Sequence, residues 1–389
     1  MAQSMYLFLG ESVTSMTVDG AGTSAPPFSA SICLYAKHLV HLEKLVYRGT
    51  RGGLDDFISA SGWKNLQNVE VEEISAESLR RLAHLPNLSS LTVSARGDSH
   101  VPDERKYQKA FHRHATIHYG FQSLRRLKIE AAHFEYLRTF LQYLSPYNPI
   151  QSIEFLTHLP SPTPEASCQD VLLAVAQYAN PKALAYLRVG DATCFKSVPA
   201  SSRKKVQDLV DISVLYDFKA LKALTVHCEA GVRATPEDVS SVAEAWPNIE
   251  TLDLCTTLSS PLPPYIDHSH LLEILGGCPS LRHLGLRFDA MKLSAYDVGT
   301  DAPRPVYAKL RKLSIGESPI DSPGLVMNFI KVYFPNLEAL DMCYTRAMPE
   351  ELETEAEGTE PPEPEVHQFD DMWDGIRESL GLGFDSDRI

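Results

Sequence analysis

No run of 18 apolar residues occurs in this 389-residue chain, so no transmembrane helix is predicted. The first twenty residues lack a basic stretch followed by an apolar one, so secretion is not expected. No CxxC pair occurs among the seven cysteines, and the closest two, Cys255 and Cys278, are 23 residues apart. That spacing excludes zinc-ribbon and thioredoxin-type chemistry. An odd number of scattered thiols fits a reducing compartment, and a cytoplasmic or nuclear protein is expected. Cys228, Cys255 and Cys343 each closely follow an expected strand and read as small core or turn residues. Catalytic signatures are also missing: no GxSxG, GxxxxGK(S/T) or HExxH, and no GxGxxG after a strand. The expectation is a protein that is not an enzyme and needs no cofactor.

A strong basic surplus is lacking too. The formal charge is −14, but Pro349 to Ile389 alone holds 14 acids and 2 arginines. The remainder keeps 36 acids against 34 bases. A nearly neutral body argues against electrostatic binding of nucleic acid. Hydrophobic residues at 44% and charged residues at 22% are ordinary globular values, enough to build a core.

What is present is a repeat: an aromatic or proline, then Leu-x-x-Leu-x-(Leu/Val/Ile/Met). Clear copies are Trp63 to Val71, Phe121 to Ile129, Phe218 to Val226, Trp246 to Leu254 and Phe334 to Met342. Others are centred on Leu45, Leu91, Ile153, Leu187, Leu284 and Leu313, with a degenerate copy at Val13 to Val18, about twelve in all. From Leu45 to Leu340 ten steps cover 295 residues, a mean period of 29.5. Leu-x-Leu alternation makes a short strand with one face inward, and a lone strand cannot bury that face, so copies stack in parallel. Parallel strands need a crossover, and the spacers have helical periodicity at Leu137, Phe140, Leu141 and Leu144, at Leu172, Val175 and Ala176, and at Val326, Phe329, Ile330 and Tyr333. Thr235-Pro236 is a helix start. The predicted fold is an α/β leucine-rich-repeat solenoid, a horseshoe with the parallel sheet on its concave face and helices on its convex face. It covers residues 1–348, followed by a largely disordered acidic tail, 349–389.

Steps of 34 to 37 residues place long loops at Arg96 to Gly120, Leu156 to Glu165 and Asp191 to Arg203, and another is expected at Thr256 to His270. The asparagine of regular repeats, three residues past the strand, is replaced by Ile74, Ala132, Glu229, Thr257, Asp289 and Ser318, so no asparagine ladder is expected.

The Phe/Trp-Pro-Asn-Leu and Phe-x-x-Leu-x-x-Leu openings, together with Leu9 to Val18, resemble the leucine-rich repeats of fungal F-box proteins of the basidiomycete type. The resemblance implies repeats that hold a ubiquitylation substrate, behind an N-terminal F-box that docks a Skp1-type adaptor. Here the first repeat begins by Leu9, and no Leu-Pro-x-Glu-(Ile/Leu) helix precedes it. Contact with a Skp1-type adaptor is therefore expected only if an upstream F-box is missing from this chain. The alternative is a free intracellular scaffold or regulator with no ubiquitin link.

The residue between the two strand leucines points to the sheet face where such repeats bind. Lys128, Glu154 and Arg188 fall side by side there with alternating sign. They read as a self-neutralising ladder or, with Arg126 and Tyr186 from the preceding row and His283 further on, as a patch for a partner's acidic or aromatic anchor. No metal site is expected: His112, His114 and His118 read as a solvated basic loop. Arg96-Gly97-Asp98 reads as a plain turn.

In the tail, Phe369, Met372, Trp373, Ile376 and Leu380 recur at helical spacing, a short amphipathic helix near 367–380 weakened by Gly375. It folds back over the last repeat, serves as a linear motif for a partner's groove, or stays disordered. The functional expectation is a non-catalytic protein-interaction scaffold, with a protein partner or ubiquitylation substrate and no nucleic acid or membrane.

Overall fold

A computed structural model describes residues 11–19, 36–48, 51–59, 62–72, 74–94, 120–131, 134–145, 147–157, 168–191, 209–227, 231–254, 263–298, 304–316, 318–342 and 369–383. The chain divides into two compact units, Met1–Leu187 and Arg188–Ile389. The three tail thiols of the repeats (Cys228, Cys255, Cys343), the histidine cluster, Arg96 to Asp98, the acidic stretch and most of the four long loops lie outside the described residues.

Twelve strands are described. The first unit holds β1 (Ser15–Asp19), β2 (Lys44–Arg48), β3 (Asn68–Val71), β4 (Ser90–Ser94), β5 (Arg126–Ala131), β6 (Ser152–Thr157) and the start of β7 (Tyr186–Asp191), in that order in the sheet. The second holds the rest of β7, then β8 (Ala223–His227), β9 (Thr251–Asp253), β10 (His283–Gly285), β11 (Lys312–Ser314) and β12 (Ala339–Asp341). All the pairings described in either unit are parallel. The fold is thus the parallel α/β repeat that the leucine periodicity predicts.

The strand leucines stand in register. Met16, Leu45, Val69, Leu91, Leu127 and Ile153 face one another across β1 to β6, and Leu224, Leu252, Leu284, Leu313 and Leu340 across β8 to β12. All are buried. The register is locked by one recurring device. Two residues before each strand leucine, a backbone carbonyl accepts two N–H groups from consecutive residues of the next repeat. Thr14 takes Glu43 and Lys44, Glu43 takes Gln67 and Asn68, Gln67 takes Ser89 and Ser90, and the series runs on through Ser89, Arg125 and Gln151. In the second unit Lys222, Glu250, Arg282 and Arg311 do the same, and all these bonds measure 2.7–3.1 Å. A carbonyl has two lone pairs, so each staple satisfies two donors with one acceptor.

The aromatic opening of the repeat is a turn. The leucine or isoleucine three residues on donates its N–H back to the aromatic's carbonyl: Leu124 to Phe121, Leu221 to Phe218, Ile249 to Trp246, Leu337 to Phe334. Pro247 and Pro335 take the second turn position, where their fixed φ fits. The third position reaches sideways. Asn65 Nδ2 donates to Val40 O at 3.2 Å, Asn87 Nδ2 to Lys64 O at 2.8 Å and Asn336 Nδ2 to Ala308 O at 3.0 Å. Asparagine amides thus link neighbouring repeats before the strand. Past it, at the regular repeat's asparagine position, Ser318 Oγ donates to Ile315 O at 2.6 Å and accepts from the Phe288 N–H at 3.0 Å.

Helices fill the crossovers: α1 (Arg51–Ser59), α2 (Ala76–Ala83), α3 (Phe134–Leu141), α4 (Cys168–Tyr178), α5 (Pro236–Ala245), α6 (His268–Gly277), α7 (Ala295–Val298) and α8 (Pro323–Tyr333), and α9 (Asp370–Leu380) follows the last strand. The helical spacings predicted in the spacers coincide with α3, α4 and α8. Thr235 caps α5 in a reciprocal box with Asp238, with Pro236 in the first turn. Among the described residues no helix is long and apolar enough to cross a membrane.

Asp267 caps α6, accepting from the Ser269 N–H at 3.1 Å and lying 2.8 Å from His270 Nδ1. Burial pushes its carboxyl up, but the bonds from Ser269 and His270 outweigh this and hold it down at about 2. A folded pKa below the unfolded value stabilises the fold above pH ~4, and that stability is lost as pH falls toward 2. Asp267→Ala is expected to cost about 1 kcal/mol at pH 7. The gap to the parent in urea unfolding should narrow between pH 5 and pH 3, and a pH-independent gap would contradict this. Leu224, with no exposed surface, tests the register. Leu224→Ala should lower the unfolding free energy by about 2–5 kcal/mol in the same assay.

Candidate functional site

The strand register maps the solvent-side face of each unit. In the first unit Arg126 is exposed at the start of β5, in line with Ser152 on β6. Tyr186 follows on β7, its N–H on the Gln151 carbonyl at 2.9 Å. Neighbouring strands lie about 4.8 Å apart, so Arg126 and Tyr186 are separated by roughly 10 Å. Tyr186 leaves 49% of its surface open, a large exposure for an aromatic on a strand. Lys128, one row up, is engaged: its Nζ lies 3.0 Å from Glu130 Oε1 and 3.7 Å from Glu154 Oε1. For Lys128 and Glu154 the self-neutralising ladder is what forms. Arg48 and Glu70 repeat the motif at 3.8 Å, beside a hollow of about 310 Å³ lined by Tyr47, Arg48, Glu70, Val71, Glu72 and Ser94.

Arg188 is exposed two residues beyond Tyr186 on β7 and belongs to the second unit, as does His283. His283 is half-buried. Its Nε2 lies 3.0 Å from Ser314 Oγ and 3.5 Å from Asp253 Oδ2. Asp253 Oδ2 is also 3.0 Å from His227 Nε2, and Lys312 Nζ is 2.8 Å from Asp341 Oδ2. Asp253, Ser314, Asp341 and His227 are all buried. A polar network thus crosses β8 to β12, with acids held by histidine and lysine as burial demands.

An Asp, a His and a Ser in sequence invite comparison with a nucleophilic triad. The geometry differs at the decisive atom. In a triad the carboxylate holds one imidazole nitrogen and the serine meets the other. Here Asp253 and Ser314 both address Nε2 of His283, and Ser314 is only 1% exposed. The group is built to satisfy buried charge. Among the described residues no set of three or more His, Cys, Asp or Glu is placed to hold a metal ion.

Gly285 makes the network fit. A Cβ there would lie 2.0 Å from Asp253 Oδ1 and 3.0 Å from Asp253 Cα. The carboxylate lies over the neighbouring strand in space that any other residue would fill. The sequence shows this only as a glycine in a row where the other repeats carry side chains, and the His227 and His283 contacts are not legible from spacing.

No protein-family model matches the chain, and no curated protein matches it. Among solved structures it is similar to one described as the crystal structure of the Rad7 and Elc1 complex in yeast, at 13% identity and a TM-score of 0.47, over 88% of this chain and 78% of that one. A likeness at that level carries no functional argument, and the repeat fold stands on the strands themselves.

Gly285→Ala should destabilise by about 1–3 kcal/mol through overpacking against Asp253. In an Asp253→Ala background the cost should shrink without vanishing, because the contact with Cα remains. Strictly additive effects in a denaturation double-mutant cycle would show that the carboxylate does not occupy that space.

Proposed function

We propose that the chain is a non-catalytic protein-interaction scaffold, and that its first unit binds a protein partner on the strand face at Arg126 and Tyr186. The exposed Tyr186 ring carries the proposal. A rigid aromatic contributes contact area at low entropic cost, and arginine adds charge-assisted hydrogen bonds to a carboxylate. Lys128 contributes less, because Glu130 and Glu154 already hold it. His283 is taken up by Asp253 and Ser314 and does not enter the contact. The partner anchor best matched is an acidic segment with an aromatic or aliphatic side chain.

A narrower frame, substrate recognition for an F-box-type ubiquitin ligase, is supported by the repeat resemblance alone. The sequence upstream of the Met1 codon tests it. An in-frame Leu-Pro-x-Glu-(Ile/Leu) segment supports that frame and its Skp1-type adaptor, and its absence favours the free scaffold.

Arg126→Ala combined with Tyr186→Ala should strip the specific partners from a pull-down with tagged protein. Stability should stay within about 0.5 kcal/mol per exposed site. An unchanged partner list from the folded double variant would move binding off this face.

A further inference from the structure

The hollow of about 310 Å³ on the first unit lies where β2, β3 and β4 end. Strand alternation assigns its parts. Tyr47 and Val71 point inward, are buried and form its floor. Arg48, Glu70, Glu72 and Ser94 point outward and form its rim. The backbone under Glu72 is fixed, since its N–H donates to the Tyr47 carbonyl at 3.3 Å.

Charge decides what fits. The rim sets one arginine against two glutamates, a surplus of one negative charge. Arg48 and Glu70 lie 3.8 Å apart and are both about half exposed, so that pair is loose. Among the described residues the Glu72 carboxylate has no hydrogen-bond or ion-pair partner. The volume is at the lower end of the range for small-molecule sites. A lysine or arginine side chain meets these terms, with its aliphatic stem on Tyr47 and Val71 and its charged head on Glu72 and Glu70. An apolar side chain would take the Glu72 carboxylate out of water without pairing it.

The register ties this hollow to the contact at Arg126. Asn68 on β3, Ser90 on β4 and Arg126 on β5 share one row. Arg126 is thus two strands from β3, roughly 10 Å, and Glu72 lies four residues beyond Asn68, roughly 13 Å along the strand. The two positions are on the order of 16 Å apart, about five residues of extended chain.

We propose that the hollow binds a lysine or arginine side chain of the protein partner, presented about five residues from the acidic residue that pairs with Arg126. This rests on the reading of the first unit's face given above and adds the second charge of the recognised segment. As the cation enters, Glu70 turns to it and Arg48 turns out to water.

The probe is a phage-displayed library of random peptides of about twelve residues, long enough to span both positions when extended. Selected on the full wild-type chain, it should yield peptides with a Lys or Arg about four to six residues from an Asp or Glu. By fluorescence anisotropy, a labelled selected peptide should bind the Glu70→Gln/Glu72→Gln chain at least about tenfold more weakly than wild type. Replacing the peptide's basic residue by Ala should cost about as much, and both changes together should cost no more than either alone. The two glutamines keep the size of the side chains they replace at partly exposed positions, and circular dichroism checks that this chain is folded. Selection on the Arg126→Ala/Tyr186→Ala chain should lose the acidic position and keep the basic one. Wild-type selection with an acidic position but no basic one overturns the proposal and leaves the Arg126 and Tyr186 contact standing. Equal affinity for the wild-type and glutamine chains does the same. A basic position without an acidic companion overturns both the spacing proposed here and the Arg126 contact, as does a selection that enriches nothing.

Discussion

One backbone carbonyl per repeat, shared by two N–H groups of the next, is the constraint on which the fold rests. It fixes the start of each strand to its neighbour irrespective of the number of residues between them. From Thr14 to Glu43 the step is 29 residues, from Gln67 to Ser89 it is 22, and from Ser89 to Arg125 it is 36, yet the same pair of bonds forms each time. With the start pinned, strand alternation places the leucines inward. The turn that precedes several of the staples does the complementary work, holding an aromatic at the corner with its own carbonyl bonded to the following leucine or isoleucine, as at Phe121, Phe218, Trp246 and Phe334.

These features explain why the fold was legible in the sequence and the polar detail was not. Leucine spacing reports burial, which is periodic and repeated, so strands, register and the helices at Leu137, Val175 and Phe329 follow from it. The asparagine links of Asn65, Asn87 and Asn336 escaped because they lie in the turn, ahead of the position where a regular repeat keeps its asparagine. The second unit's network escaped for another reason. Asp253, Ser314 and Asp341 share one row, but the groups that hold them come from other rows of neighbouring repeats: His227 from β8, His283 from β10 and Lys312 from β11. No one-dimensional period reports a contact set by side-chain reach across strands. On the first unit's face, the alternating charges of Lys128 and Glu154 did indicate their pairing, because strand neighbours with matching offset must meet.

The two units use their faces differently. In the first, the Arg48–Glu70 pair stays partly in water, where ion pairs contribute little to stability and can be rearranged, while Lys128 also holds the buried Glu130. In the second, Asp253 and Asp341 are withdrawn from water and tied to His227 and Lys312, so truncating one partner strands the other. The first face tolerates change, whereas the second is committed to the fold.

The shared carbonyl also governs how such a surface can diversify. Its bonds are made by backbone alone, so in the first unit the side chains at the two donor positions are released from the staple and need only be something other than proline, whereas in the second unit His283 and Lys312 at such positions are tied to Asp253 and Asp341. The chain follows this rule: it has 26 prolines, and none stands at a donor position. At those positions it carries Glu43 and Lys44, Gln67 and Asn68, Arg125 and Arg126, Ala185 and Tyr186, a mixture of charge, amide and aromatic with no common chemistry. A lineage of such chains is thereby free to rewrite that row one residue at a time while the scaffold beneath stays fixed.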